Sequence, residues 1–123
     1  MPDERTVFVV DDDRAAASSI EALMTSVGLK VETYNSAEEF LATFDGSRNG
    51  CLVLDVRLQG MNGLELQAAL GADDLEIPII IISGHADRDI SNKAVQNGAV
   101  ACLEKPFDGR ELCELVRGAL SRR

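Results

Sequence analysis

Short apolar runs alternate with longer amphipathic stretches along this chain, and the alternation is completed five times. The first run, Thr6–Val10 (TVFVV), predicts a strand. A helix is expected over about Arg14–Val27, with Ala17, Ile20, Leu23, Met24 and Val27 at three-to-four spacing and Gly28 as its stop. Leu29–Tyr34 reads as the second strand. Ser36 is expected to cap the next helix, with Glu39 completing a capping box and Phe40, Leu41 and Phe44 turned to the core. After the loop DGSRNG comes a third strand, Cys51–Asp55, then the loop RLQGMNG and a short helix around Leu64–Leu70. GADDLE leads to a fourth strand, Ile77–Ile82, apolar at every residue after its proline, as suits a central strand covered on both faces. A helix over roughly Arg88–Asn97 ends at Gly98, and the fifth strand is about Val100–Leu103. Asp108 caps the last helix, with Glu111 at the capping-box position and Leu112, Leu115, Val116 and Leu120 as its buried stripe.

Strands separated by helices of this length make βαβ units. The fold expected is α/β: a doubly wound five-stranded parallel sheet with helices on both faces. In such a sheet the strands all end at one edge, and chemistry collects there. Asp11 and Asp12 follow the first strand, Asp55 closes the third, Ser83 follows the fourth and Lys105 follows the fifth. These distant residues should therefore converge in one shallow pocket of carboxylates, a hydroxyl and an ammonium. Crowded carboxylates repel one another, and a hard divalent cation relieves the repulsion. Aspartate is ionised at neutral pH and can form an acyl phosphate, and lysine offers a compact positive charge on a flexible stem. The set points to phosphoryl transfer onto an aspartate with a divalent cation in attendance.

Composition narrows the classes. The 123 residues suit one domain, 1–123, with its core over about 6–120 and no linker or repeat. A net charge of −9 argues against direct nucleic-acid binding; Arg117, Arg122 and Arg123 read as a charged helix C-terminus. The longest apolar run, IPIIII, is far below the roughly 20 residues of a membrane span. MPDERTVFVV lacks the marks of a signal peptide, so a cytoplasmic location is expected. Cys51, Cys102 and Cys113 form no CxxC pair and His85 is the single histidine, which argues against zinc and for reduced, mostly buried thiols. Asp13 reads as a helix cap, Asp87 and Asp89 as surface and cap residues, and Asp73 and Asp74 as solvated loop positions.

VVDDD, LVLDVRLQGMNGLEL, IIISGH and GAVACLEKPF, in that order and spacing, resemble the four signature stretches of the response-regulator receiver domains of bacterial two-component systems. The resemblance spans Thr6–Leu120. In detail it is similar to receivers that precede a helix-turn-helix DNA-binding domain of the nitrogen-fixation and quorum-sensing type. The resemblance implies the flavodoxin-like strand order and a set of roles. Asp55 would be the phosphoacceptor. Asp12 would ligate Mg²⁺ directly, Asp11 mainly through water, and the backbone carbonyl of Arg57 would join Asp55 as the remaining protein ligands. Ser83 would hydrogen-bond a phosphoryl oxygen and Lys105 would pair with the phosphoryl group. The Lys105–Pro106 peptide would be cis. Gly84 would leave room for phosphate, and Arg57 and His85 would stand where the family tunes the loss of phosphate. A sensor histidine kinase, or a small phosphodonor, would be the donor. An output domain, here or on a separate chain, would read the switched surface, with a phosphorylation-dependent homodimer as a further partner. The chain would catalyse only its own phosphorylation and dephosphorylation. It is expected to be the first domain of a transcription regulator rather than a stand-alone receiver.

Three departures stand out. Cys102 occupies the place of the family's switching aromatic and is read as a small core residue in preference to a redox sensor. Arg88, Asp89 and Asn92 make the fourth helix more polar than in related receivers, which predicts a different partner surface or weak dimerisation. Gln59 replaces the family's loop proline, which should loosen that loop slightly. Two alternatives follow: a receiver-like interaction module that no longer uses phosphate, and a haloacid-dehalogenase-type phosphohydrolase built on Asp11 and Asp13.

Overall fold

The structure, a computed structural model, describes residues 5–121; Arg122 and Arg123, read above as part of a charged helix end, lie outside the described residues. Five parallel strands are joined by five helices: β1 (Thr6–Val10), α1 (Arg14–Ser26), β2 (Lys30–Tyr34), α2 (Ala37–Thr43), β3 (Gly50–Asp55), α3 (Gly63–Ala72), β4 (Ile79–Ser83), α4 (Arg88–Gln96), β5 (Ala101–Glu104) and α5 (Gly109–Leu120). One turn of 3₁₀ helix, His85–Asp87, leads into α4. The strand order is β2-β1-β3-β4-β5, the flavodoxin-like arrangement.

Side-chain alternation along each strand builds two cores. Val7, Val9, Cys51, Val53, Ile80 and Ile82 meet α1 and α5 on one face. Phe8, Val10, Leu52, Leu54, Ile79 and Ile81 meet α2, α3 and α4 on the other. The unbroken apolar runs are thus central strands sandwiched between helices. β1 and β3 approach so closely at one end that a Cβ on Gly50 would lie 2.0 Å from the Thr6 carbonyl oxygen. No helix among the described residues is long and apolar enough to cross a membrane.

Several boundaries differ from expectation for local reasons. β4 starts two residues late because Pro78 has no N–H to enter the ladder; its carbonyl still accepts the Leu52 N–H at 2.9 Å. The strand gains Ser83, and β5 gains Glu104 opposite it. The capping box expected at Ser36 is displaced. Ser36 accepts the Glu39 N–H at 3.0 Å, but the Glu39 carboxylate reaches back past the cap to the Asn35 N–H. Asp108 accepts the N–H of Arg110 rather than that of Glu111. A complete box instead closes at Asn62 and Glu65, and it starts α3 one residue before the leucine stripe. Cys51 and Cys113 are buried, Cys102 is half-buried against the second core, and all three are free. Burial pushes the Cys51 thiol up to about 12, which leaves it unreactive.

Candidate functional site

The carboxyl-terminal edge of the sheet brings the expected residues together. Asp55 closes β3 opposite Ile82, so Ser83 stands one position beyond it on the neighbouring strand. Asp11 and Asp12 leave β1, which pairs with β3 through to Val10 and Leu54. Lys105 follows β5 and reaches across β4. Its Nζ donates to Asp55 Oδ2 at 3.0 Å, while its backbone N–H donates to the Ser83 carbonyl at 2.8 Å. The Lys105–Pro106 peptide is cis, as the resemblance implied. Asp11, Asp55 and Ser83 are buried, while the Lys105 side chain is 41% exposed. The Asp55 carboxylate thus lies at the floor, with Lys105 at the mouth.

Local backbone holds two of the carboxylates. Asp55 Oδ1 accepts the Arg57 N–H at 2.9 Å, and Asp11 Oδ1 accepts the Asp13 N–H at 2.9 Å. Asp12 is exposed, and its Oδ2 accepts the Gln59 N–H at 3.0 Å from the β3–α3 loop. Burial raises the pKa of Asp11, and the charges of Asp55 and Asp12 raise it further, against the lowering effects of the Asp13 hydrogen bond and Lys105. Burial disfavours the Lys105 ammonium. The hydrogen bond and charge of Asp55, with Asp11 and Asp13 behind it, outweigh that and hold its pKa above the ordinary lysine value. Among the described residues no three His, Cys, Asp or Glu side chains stand together as a preformed metal cage. The acidic edge is nevertheless short of positive charge, a donor set of hard oxygens that suits a hard divalent cation.

The rim contains groups that the sequence reading placed elsewhere. Asp87, expected as a surface or cap residue, is 5% exposed. It caps no helix. Its carboxylate instead takes a forked contact from the Arg57 guanidinium, with Nε at 3.2 Å and Nη2 closer still. That contact holds the Asp87 carboxyl below the usual range. The Arg57 side chain is therefore tied to the β4–α4 loop rather than simply solvated. Glu104, unremarked in the sequence, accepts from Arg88 Nε at 2.8 Å and meets His85 Nδ1 at 3.0 Å. Arg88 thus turns back toward β5, while Ile90 and Val95 are the large apolar side chains of α4 left exposed. Cys102 sits opposite Ile81 in β5. Asp13 caps α1, accepting the N–H groups of Ala15 and Ala16 at 3.0 and 3.3 Å. Both bonds fall on Asp13 Oδ1, so its side chain serves as the helix cap that the sequence predicts.

A flavodoxin-like sheet with a buried aspartate, a hydroxyl, a lysine and an acidic pair at its carboxyl edge defines the receiver class of signalling domains. The chain belongs to that family: the model of the response regulator receiver domain matches residues 7–117. It is 43% identical over 114 residues to the response regulator protein TodT of Pseudomonas putida, covering 93% of this chain and 50% of TodT. It is 40% identical over 116 residues to the transcriptional regulatory protein TdiR of Thauera aromatica, covering 94% of this chain and 51% of TdiR. The crystal structure of FixJ-N superposes with a TM-score of 0.92 at 38% identity, covering 100% of this chain and 98% of that one. The chain spans about half the length of the curated relatives it matches. Membership of this family displaces the phosphohydrolase alternative.

Proposed function

We propose that Asp55 is the phosphoacceptor of a two-component signal receiver, with Ser83 and Lys105 as its phosphoryl-binding partners. The observation that carries this is the 3.0 Å contact of the Lys105 ammonium with the Asp55 carboxylate, beside Ser83 on the next strand. One carboxylate oxygen of Asp55 attacks phosphorus. The bond from phosphorus to the donor's imidazole nitrogen breaks, and that nitrogen keeps the electron pair and takes up a proton. Lys105 compensates charge on the arriving phosphoryl group, and Ser83 donates its hydroxyl to one of the oxygens. Asp11, Asp12, Asp55 and the Arg57 carbonyl are the residues that would hold Mg²⁺. The cation supplies charge neutralisation and orientation of the phosphoryl oxygens.

The donor is a sensor histidine kinase or a small phosphodonor. The acyl phosphate biases the loops after β4 and β5 between two states. A second copy of the chain and an output domain, as partners of the α4–β5 surface, read the outcome. The named relatives are a response regulator and a transcriptional regulator, and we assign this domain the same upstream role, in the cytoplasm and over residues 1–123. Its chemistry is confined to its own phosphorylation and dephosphorylation. Half-buried Cys102 in place of an aromatic favours one other reading, an interaction module that no longer uses phosphate.

The test is intact mass and peptide mapping after acetyl phosphate or beryllofluoride treatment, with and without Mg²⁺. A Mg²⁺-dependent adduct on Asp55, absent in Asp55→Asn, is expected. No adduct under any condition selects the phosphate-independent module.

A further inference from the structure

Two backbone N–H groups of the loop between β3 and α3 are held by carboxylates from distant parts of the chain. Glu38, in α2, accepts the Met61 N–H at 3.1 Å. Asp12 accepts the Gln59 N–H at 3.0 Å across 47 positions of sequence. The asymmetry among the three acidic side chains matters here. Asp11 and Asp55 are buried and each is fixed by an N–H two residues away. Asp12 is exposed, and its backbone donor lies on a different loop. Without that donor, a short exposed side chain beside two other carboxylates would turn toward solvent, since like charges repel and water solvates it freely. A carboxylate has about four lone-pair sites on two oxygens, so engaging Oδ2 with Gln59 leaves Oδ1 able to take a cation.

We propose that the backbone N–H of Gln59 is a positioning group. It holds the Asp12 carboxylate at the pocket rim ready for a divalent cation, and it couples occupancy of that cation site to the loop over residues 56–62. The inference rests on the phosphoacceptor reading above. It assigns no role to the Gln59 side chain. Hydrogen-bond donors behind a metal ligand typically alter metal affinity by about 10- to 100-fold when lost; a single donor to an exposed carboxylate belongs at the lower end.

Two substitutions separate backbone from side chain. Gln59→Ala keeps the N–H, whereas Gln59→Pro removes it. Mg²⁺ is titrated into each protein and followed by amide chemical shifts of Gly60 and Met61. Gln59→Ala is expected to bind Mg²⁺ within about twofold of the parent chain, and Gln59→Pro about tenfold more weakly. A second measurement needs neither metal nor proline: amide hydrogen exchange of Gln59 in the Mg²⁺-free protein. Protection is expected in the parent chain and its loss in Asp12→Ala. Equal Mg²⁺ affinity of the proline variant, or an unprotected Gln59 amide in the parent chain, overturns the proposal. A protected amide in a parent chain that shows no Mg²⁺ response at all overturns instead the cation-assisted phosphoacceptor reading, and the positioning role falls with it.

Discussion

The two ends of the same sheet handle charge in opposite ways. Toward the amino-terminal edge, the Arg48 guanidinium forks onto Glu32 at 2.8 and 2.6 Å and lies 5.0 Å from the centre of the Phe8 ring. Arg48 also donates to Thr6 Oγ1 at 3.4 Å. Opposite charges meet there, hydrogen bonds are shared, and backbones close up at Gly50. At the carboxyl-terminal edge, the charges of Asp55 and Asp12 both act on Asp11, and the Lys105 ammonium pairs with Asp55. The Glu32 carboxyl is pulled down to about 2, chiefly by Arg48, whereas the Asp11 carboxyl is pushed up, chiefly by burial. One end favours folding with its acid ionised and the other resists it. The sheet tolerates a destabilised acidic pocket because its other end and its two cores stabilise the fold.

The largest effect should come from breaking the tight end. Gly50→Ala would drive a Cβ to within 2.0 Å of a backbone oxygen, with the Phe8 ring at 2.9 Å as well. Neither strand can retreat without losing ladder bonds, so a loss of about 3 kcal/mol or more is expected in urea unfolding. A wild-type midpoint would show that the β1–β3 approach is slack. Gly63→Ala is the counterpart at the site end, where the Cβ would meet Val56 Cα at 2.9 Å. About 1–2 kcal/mol of destabilisation is expected, together with shifted amide resonances at Asp55 and Arg57.

Removing charge from the open end should have the opposite sign. In Asp11→Asn the amide oxygen can still accept the Asp13 N–H, and one of the crowded negative charges is gone. The Mg²⁺-free melting temperature is expected to rise by a few degrees, about 1 kcal/mol, while stabilisation by added Mg²⁺ shrinks. A lower melting temperature would mean that ionised Asp11 is held by favourable contacts after all.

The strands and the acidic end were visible along the chain, whereas the Glu32–Arg48 end was not, and the missed contacts share a cause. Four of the strands were legible as apolar runs and β2 by its alternation, KVETY, and Asp11, Asp12, Asp55, Ser83 and Lys105 were legible because each stands just past or at the end of an apolar run. Asp13 was legible as a cap because its partners lie within three residues. Asp87 was read as a surface residue because the guanidinium that covers it comes from 30 residues away, on another loop. Glu104 was passed over for the same reason, since Arg88 lies 16 residues back and no local period links them. The proline missing at position 59 suggested only slackness. It also leaves an N–H that Asp12 uses, a gain that becomes apparent once the two loops are seen together. Contacts made by loops after different strands have no sequence spacing of their own, and they make up most of the rim.

The smallest effect concerns the Glu32–Arg48 pair, and its pH dependence gives it a clear signature. Glu32 has its folded pKa depressed from 4.5 to about 2, so it contributes stability that is present above pH 4.5 and lost as pH falls toward 2. Asp11 has its folded pKa raised, so its ionisation costs stability at neutral pH, and that cost fades as pH falls through the raised value toward 3.8. The two ends therefore slope in opposite directions on acidification. Both partners of the pair are about a third exposed, and solvent screening limits it to about 1 kcal/mol or less. Glu32→Gln should then lose up to that amount at pH 7 and flatten the fall in stability below pH 4.5, while leaving Asp55 modification unchanged. Asp11→Asn should instead flatten the part of the profile above pH 3.8. If Glu32→Gln changed the profile only above pH 4.5, the opposition between the two ends would be wrong in sign at the Glu32–Arg48 end.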